Sequence, residues 1–272
     1  MKSRLIVAAV GIALLLLVIF LAPLWVFGLL VGAVAALAVW EFTRCAAPDM
    51  PKRMRVVGMV LAFAVPLASA FGSRNAVTVG ALLLMVIYPS VEQILSFRRE
   101  DPFPLQNIGI ITLCAGIFPI LLSSLVRCGL GEHGTARLLL PFVITFTCDS
   151  GAYFVGRAIG KHKLAPHVSP NKTIEGSIGG IVAGMLCAVI YGLILRLCGI
   201  QIQFVVMLIY GFLGSIVCEI GDLAFSAVKR LCGVKDYGNL LPGHGGVLDR
   251  FDSMMFVAPL IEALLLWVSP IL

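Results

Sequence analysis

The chain reads as long apolar runs separated by short polar connections, and two of those connections hold most of its chemistry. The first run, Leu5–Trp40, is 36 nearly uninterrupted apolar residues. As one helix at 1.5 Å per residue it would reach about 54 Å, well past the roughly 30 Å of a bilayer's hydrocarbon core. It is therefore expected to break near Pro23 into two spans. Further spans are expected at Val56–Phe71, Ala76–Ser90, Ile108–Val126, Leu138–Val155, Ile174–Leu197, Phe204 to about Phe225, and Met254–Leu272, nine in all. No ten-residue alternation of the kind that builds a membrane barrel accompanies them. The pattern predicts an all-α, polytopic transmembrane helical bundle forming a single integral membrane domain, with spans dominating 1–140 and polar loops entering over 141–272.

Composition agrees: 60% hydrophobic residues, 12% charged and a mean hydropathy of +1.05 exceed what one soluble core buries. The MKSR start resembles a secretory signal, but the apolar run that follows is twice an h-region and leads into more membrane. Lys and Arg outnumber Asp and Glu by 20 to 14, which is compatible with nucleic acid, anionic lipid or a phosphate-bearing substrate, and their positions decide between these. With nine spans and a cytoplasmic N-terminus, 16 of the basic residues fall on the cytoplasmic side and only Arg74, Arg127, Arg137 and Arg196 opposite. Such asymmetry sets orientation in membranes, and it excludes a nucleic-acid role. The eight cysteines show no C-x-x-C or Cys/His zinc spacing and are expected to be small core residues.

Both long polar connections, Gly156–Thr173 and Ser226–Ser253, land on that cytoplasmic side. Glu219, Asp222, Ser226 and Lys229 or Arg230 recur at three- and four-residue steps, so one helix face carries acid, acid, hydroxyl and base. An ionised Asp in a span costs on the order of 3 kcal/mol on insertion scales, so it needs a partner: an Arg of the same helix, or a metal ion. Asp249 and Asp252 follow in the next polar segment. Asp249 by itself reads equally as the cap of the last helix, but Pro242-Gly243-His244-Gly245-Gly246 just before it allows backbone N–H groups to converge on phosphate oxygens. Upstream, Asp149, Tyr153 and Arg157 share a helix face, where Asp149 and Arg157 could simply pair. Beyond them come Ser169, Asn171 and Lys172. Pro170 holds Ser169 extended, and Thr173 is placed to cap the next helix with Glu175 in its first turn.

Two motifs fail on inspection. Gly156–Lys161 is G-x-x-x-G-K, one residue short of a P-loop and without its Ser/Thr. Ser169-x-x-Lys172 lacks the partner motifs of a Ser-Lys acyl enzyme. A cation-coupled transporter would need acids such as Asp149, Glu219, Asp222 and Glu262 spread through the membrane depth, whereas the acids here gather with basic, glycine-rich loops. A CDP-alcohol phosphotransferase, the other lipid-enzyme alternative, would carry D-G-x-x-A-R, which is absent.

Ser226-x-x-Lys229-Arg230, Lys235-Asp236-x-Gly238, Leu241-Pro242-Gly243-His244-Gly245-Gly246 and Asp249-Arg250-x-Asp252 resemble the signature of the phosphatidate cytidylyltransferase (CDP-diglyceride synthase) family. Asp149–Gly176 resembles that family's second polar region, while residues 1–140 agree only as spans. The resemblance implies a membrane nucleotidyltransferase of phospholipid biosynthesis. It would make CDP-diacylglycerol and diphosphate from CTP and phosphatidate with Mg²⁺, and with a second, monovalent cation such as K⁺. It further implies a homodimer among membrane lipids in a bacterial inner membrane, its active site facing the cytoplasm. Carried onto this sequence, it makes Asp222 and Asp249 the metal carboxylates, with Glu219 and Asp252 as further candidates. Lys172, Lys229, Arg230, Lys235, His244 and Arg250 become phosphate contacts. Asp149, Arg157, Ser169, Asn171, Thr173, Ser226, Asp236, Gly245 and Gly246 complete the substrate-binding set.

Overall fold

The computed structural model describes residues 2–72, 74–98, 104–240 and 245–271, with backbone alone for 2–10, 74 and 75. His244, Leu241–Gly243 and Arg99 lie outside the described residues. Among the described residues the architecture is all-α apart from one small hairpin. Its helices are α1 (Lys2–Leu21), α2 (Leu24–Ala46), α3 (Lys52–Ser69), α4 (Arg74–Arg98), α5 (Leu105–Ile111), α6 (Phe118–Cys128), α7 (Gly134–Ile159), α8 (Ile174–Leu197), α9 (Phe204–Leu231), the short α10 (Leu248–Phe251) and α11 (Met254–Trp267).

The long first run breaks where Pro23 adopts an extended ψ of 152°, just before α2. A π-helical stretch, Thr112–Ile117, joins α5 to α6. There Gly116 lies against the Met85 side chain and Thr112 Oγ1 donates to the Met85 carbonyl at 3.3 Å. Six helices among the described residues are long and apolar enough to cross a membrane: Leu24–Ala46, Ala76–Arg98, Leu105–Cys128, Gly134–Ile159, Ile174–Leu197 and Phe204–Leu231. Each of the nine expected spans overlaps helix, Ile108–Val126 running over α5, the π-helical stretch and α6, and Met254–Leu272 being helical only to Trp267. However, α3 opens with Lys52, Arg53 and Arg55, and α11 stops after 14 residues. Beyond α11 the chain turns back, with the Gln203 N–H donating to the Pro270 carbonyl at 3.0 Å and an isolated bridge between Ile202 and Ile271.

The chain divides into two compact units, one of Met1–Arg127 with Asp236–Arg250 and one of Cys128–Lys235 with Phe251–Leu272. In the second, α8 buries Gly176, Gly180, Gly184, Ala188 and Gly192, one small residue per turn. The stripe lets neighbouring backbones approach closely, as helices in lipid require. A Cβ at Gly176 would lie 2.8 Å from the Ala152 carbonyl, one at Gly180 2.8 Å from the Cys148 carbonyl, and one at Gly184 would overlap Ser215 Oγ. The stripe thus seats α8 against both α7 and α9, the helices that carry Asp149, Glu219 and Asp222.

The Gly156–Thr173 connection, expected as a loop, contains two antiparallel strands, β1 (Lys163–Ala165) and β2 (Ser169–Thr173). Pro170 occupies β2, with Ser169 extended before it as expected. Four cysteines are buried, three half-buried and only Cys198 exposed, in keeping with the core role read from the sequence.

Candidate active site

In the second unit, side chains from α7, β2, α9 and the turn before α11 form an ionic cluster. Lys172, on β2, places its ammonium 2.7 Å from Glu219 Oε2 and 2.7 Å from Asp222 Oδ2. Burial by itself would lower the Lys172 pKa, but Asp222 and then Glu219 outweigh it and hold the group charged above the usual lysine range. One turn along α9, Ser226 Oγ donates to Asp222 Oδ1 at 3.2 Å, so the acid–hydroxyl face read from the spacing is present. Lys229 reaches towards Asp252, Nζ to Oδ2 being 3.9 Å, and the Ser253 N–H donates to Asp252 Oδ1 at 2.8 Å. Asp252 is pushed up to about 7, first by burial and then by the nearby Asp222 carboxylate, with Asp149 adding to it. Asp149 accepts from the Cys218 thiol, Sγ to Oδ1 being 3.4 Å. The alternative of a simple Asp149–Arg157 pair is not what forms: Arg157 Nη1 donates to the Tyr153 hydroxyl at 3.2 Å.

The hairpin is tied down on three sides. Glu175 accepts from the Lys161 N–H at 3.0 Å and from the His162 N–H at 3.2 Å, and it lies 2.6 Å from His162 Nδ1. Arg230 donates through Nε to the Val168 carbonyl at 3.1 Å and through Nη1 to the Val234 carbonyl at 3.3 Å. Thr173 caps α8 as predicted, its Oγ1 accepting from the Gly176 N–H at 3.1 Å. The glycines of the failed P-loop match have a packing reason here, since a Cβ at Gly156 would lie 3.0 Å and one at Gly160 2.6 Å from Thr173 Oγ1. Asn171 is exposed on β2, and Lys235 is exposed beyond α9.

In the first unit, the segment ending in α10 is organised around carboxylates that accept main-chain N–H groups. Asp249 Oδ2 accepts from Tyr237 N and from Gly246 N, each at 2.9 Å. Glu41 of α2 accepts from Val247 N with Oε1 at 2.9 Å and from Leu248 N with Oε2 at 2.8 Å. Gly245 has φ +82°, a conformation other residues rarely adopt, and lies against Asp249 and Asp236. The expectation that the N–H groups of the glycine stretch wait for phosphate therefore changes at Gly246, whose N–H is taken by Asp249. Asp236 and Arg250 are exposed.

Glu41 is the residue that sequence reasoning missed. Its one local signal was an acid set directly at the end of the Leu5–Trp40 apolar run.

The ionic cluster suits a divalent cation of the Mg²⁺ kind. Four acids, Asp149, Glu219, Asp222 and Asp252, stand against two ammonium groups, those of Lys172 and Lys229, and all the acids' donors are hard oxygens. Among the described residues no three of His, Cys, Asp and Glu converge into a cage. Mg²⁺ does not need one, because it is typically held by one or two carboxylates together with substrate phosphates and water.

The model of the Cytidylyltransferase family matches residues 2–268. The chain belongs to the cytidylyltransferase family. This family member is 33% identical over 273 residues to the phosphatidate cytidylyltransferase of Bacillus subtilis (strain 168), covering 97% of each chain. It is also 44% identical over 135 residues to the phosphatidate cytidylyltransferase of Staphylococcus haemolyticus and 46% identical over 137 residues to that of Staphylococcus aureus (strain COL). Those two matches cover half of this chain and 51% of each relative.

Proposed function

We propose that this nucleotidyltransferase moves a cytidylyl group from CTP to phosphatidate, releasing diphosphate and forming CDP-diacylglycerol for phospholipid biosynthesis. The observation that carries the reading is the Lys172–Glu219–Asp222 cluster, with Lys229 and Asp252 beside it, in a chain that aligns end to end with the Bacillus subtilis enzyme. An oxygen of the lipid phosphate attacks the α-phosphorus of CTP. A new P–O bond forms as the bond to the bridging α–β oxygen breaks, and diphosphate leaves in line with the attack.

The nucleophile is already ionised, since a phosphate monoester has its second pKa near 6, so no side chain has to remove a proton. The difficulty is repulsion between two anions. Asp222 and Asp249 are each proposed to offer carboxylate oxygen to Mg²⁺, with Glu219 and Asp252 as further donors. A bound Mg²⁺ supplies Lewis-acid neutralisation of phosphate oxygens. Lys172, Lys229, Arg230, Lys235, His244 and Arg250 are the proposed phosphate contacts. Asp149, Arg157, Ser169, Asn171, Ser226, Asp236 and Gly245 are proposed to line the substrates.

We further propose a homodimer in a bacterial inner membrane, and for its orientation, N-terminus inside and active site towards the cytoplasm, the 16 to 4 partition of Lys and Arg is the support. The test is incubation of purified protein with labelled CTP, phosphatidate vesicles and Mg²⁺. Lipid-dependent release of diphosphate is expected. Vesicle uptake of ions without CTP turnover would replace this reading with a transporter.

A further inference from the structure

Glu41 lies 206 residues before the Val247 N–H that it accepts, in a helix whose part in the reaction no motif announces. We propose that Glu41 is the positioning residue of the glycine-rich segment, its carboxylate fixing the main chain at Val247 and Leu248 and through it the aim of Asp249. The proposal rests on the function given above, because the aim of Asp249 matters only where Asp249 meets metal or substrate.

Three observations carry it. First, the carboxylate is fully buried and divides its oxygens, one to each of two successive N–H groups at 2.9 and 2.8 Å. An acid in an apolar span is costly without a task, and here the task is to satisfy the main chain at the start of α10. Second, the segment is shaped to receive it. A Cβ at Gly238 would lie 2.5 Å from Glu41 Oε1, and one at Gly246 2.5 Å from Oε2, so both glycines are small where the carboxylate passes. Third, Gly246 is held from two directions. Its Cα faces Glu41 while its N–H donates to Asp249, and the next residue in α2, Phe42, packs its ring on Tyr237, whose N–H also donates to Asp249. A shift of Glu41 therefore moves residues 246–248 and with them the carboxylate of Asp249.

The experiment compares wild type, Glu41→Gln and Glu41→Asp, purified in detergent, by amide hydrogen exchange over 245–250 and by KM for CTP and kcat. Glu41→Gln keeps one acceptor and turns an amide N–H₂ towards the other N–H. Losing a hydrogen bond to a charged group corresponds to about 10- to 100-fold. Exchange at Val247 and Leu248 is expected to quicken by that factor and kcat/KM for CTP to fall by a similar one, while exchange in α7–α9 stays unchanged. A second arm adds Gly238→Ala, which is expected to damage turnover with Glu41 present and to add nothing in a Glu41→Ala background. Where Glu41→Ala does not purify, Glu41→Asp, one methylene shorter, carries the same comparison.

Unchanged exchange at 245–250 in Glu41→Gln overturns the proposal. So does faster exchange with kcat and KM intact, which makes Glu41 a structural anchor alone. So does a Gly238→Ala effect of equal size in both backgrounds. If wild type itself transfers no cytidylyl group, the enzymatic reading fails instead, and the exchange data still report whether Glu41 holds the segment.

Discussion

In the ionic cluster the Lys172 ammonium answers the carboxylates of Glu219 and Asp222, whereas in the segment leading into α10 main-chain N–H groups answer those of Glu41 and Asp249. The first arrangement is a balance of mobile charges. Lys172 stands between Glu219 and Asp222 on a flexible stem, where another cation can compete for the same oxygens. The second is a fixed scaffold, because the four N–H groups on Glu41 and Asp249 cannot leave without unfolding the segment. Acids of equal formal charge thus meet two kinds of partner, an ammonium on a flexible stem in one region and fixed main-chain N–H groups in the other.

The largest expected effect strikes the exchangeable region. Asp222→Asn keeps the size of the side chain and removes its charge, so the variant should insert and purify as wild type does. Its turnover should fall on the order of 10³-fold, the several kcal/mol that a Lewis acid contributes to charge stabilisation. Diphosphate release across a Mg²⁺ titration checks this. Activity within tenfold of wild type at ordinary Mg²⁺ would remove Asp222 from the metal site.

Lys172→Met comes next. It leaves Glu219 and Asp222 facing each other with no ammonium between them, and removing one partner of a buried pair costs about 3 kcal/mol. If the cluster's charges are exchangeable, Mg²⁺ should return part of that loss, raising the variant's melting temperature more than it raises that of wild type. Thermal unfolding in detergent with and without Mg²⁺ measures the difference, and equal gains in the two proteins contradict exchangeability.

The fixed region is probed by Gly245→Ala. Gly245 sits at φ +82° against Asp249, and a Cβ in left-handed backbone costs roughly 1–2 kcal/mol. A lower melting temperature and a higher KM for CTP are expected, without the Mg²⁺ rescue expected for Lys172→Met. A Mg²⁺-dependent recovery here would blur the contrast between the regions.

How much of this was legible in the sequence follows from the range of each interaction. The break at Pro23, the cap at Thr173 and the Asp222–Ser226 face are local, set by φ restriction, by a hydroxyl three residues from an N–H, and by helical period. The partners of those groups were not legible. Lys172 meets Glu219 across 47 residues and Glu41 meets Val247 across 206, and no periodicity encodes either distance. The small-residue stripe of α8 was visible as letters but not as an interface, because only the neighbouring helices show what Gly176, Gly180 and Gly184 make room for. Within the glycine stretch before α10, Gly245 uses the backbone freedom that its sequence allows, at φ +82°. Gly246 beside it is small for Glu41 and gives its N–H to Asp249.

Thr173 offers the finest test, since the resemblance places it among substrate contacts and the structure gives it a cap. Its hydroxyl accepts from the Gly176 N–H and lies where Gly156 and Gly160 pass closest to β2. Removing an N-cap hydroxyl costs about 1 kcal/mol, so Thr173→Ala should lower stability by that amount and Thr173→Ser should restore it. If capping is its whole task, KM for CTP in Thr173→Ala stays at the wild-type value once activity is corrected for folded protein. A KM that rises in Thr173→Ala and returns in Thr173→Ser shows instead that the hydroxyl also reaches substrate. The hairpin would then join the exchangeable region rather than merely carry Lys172 to it.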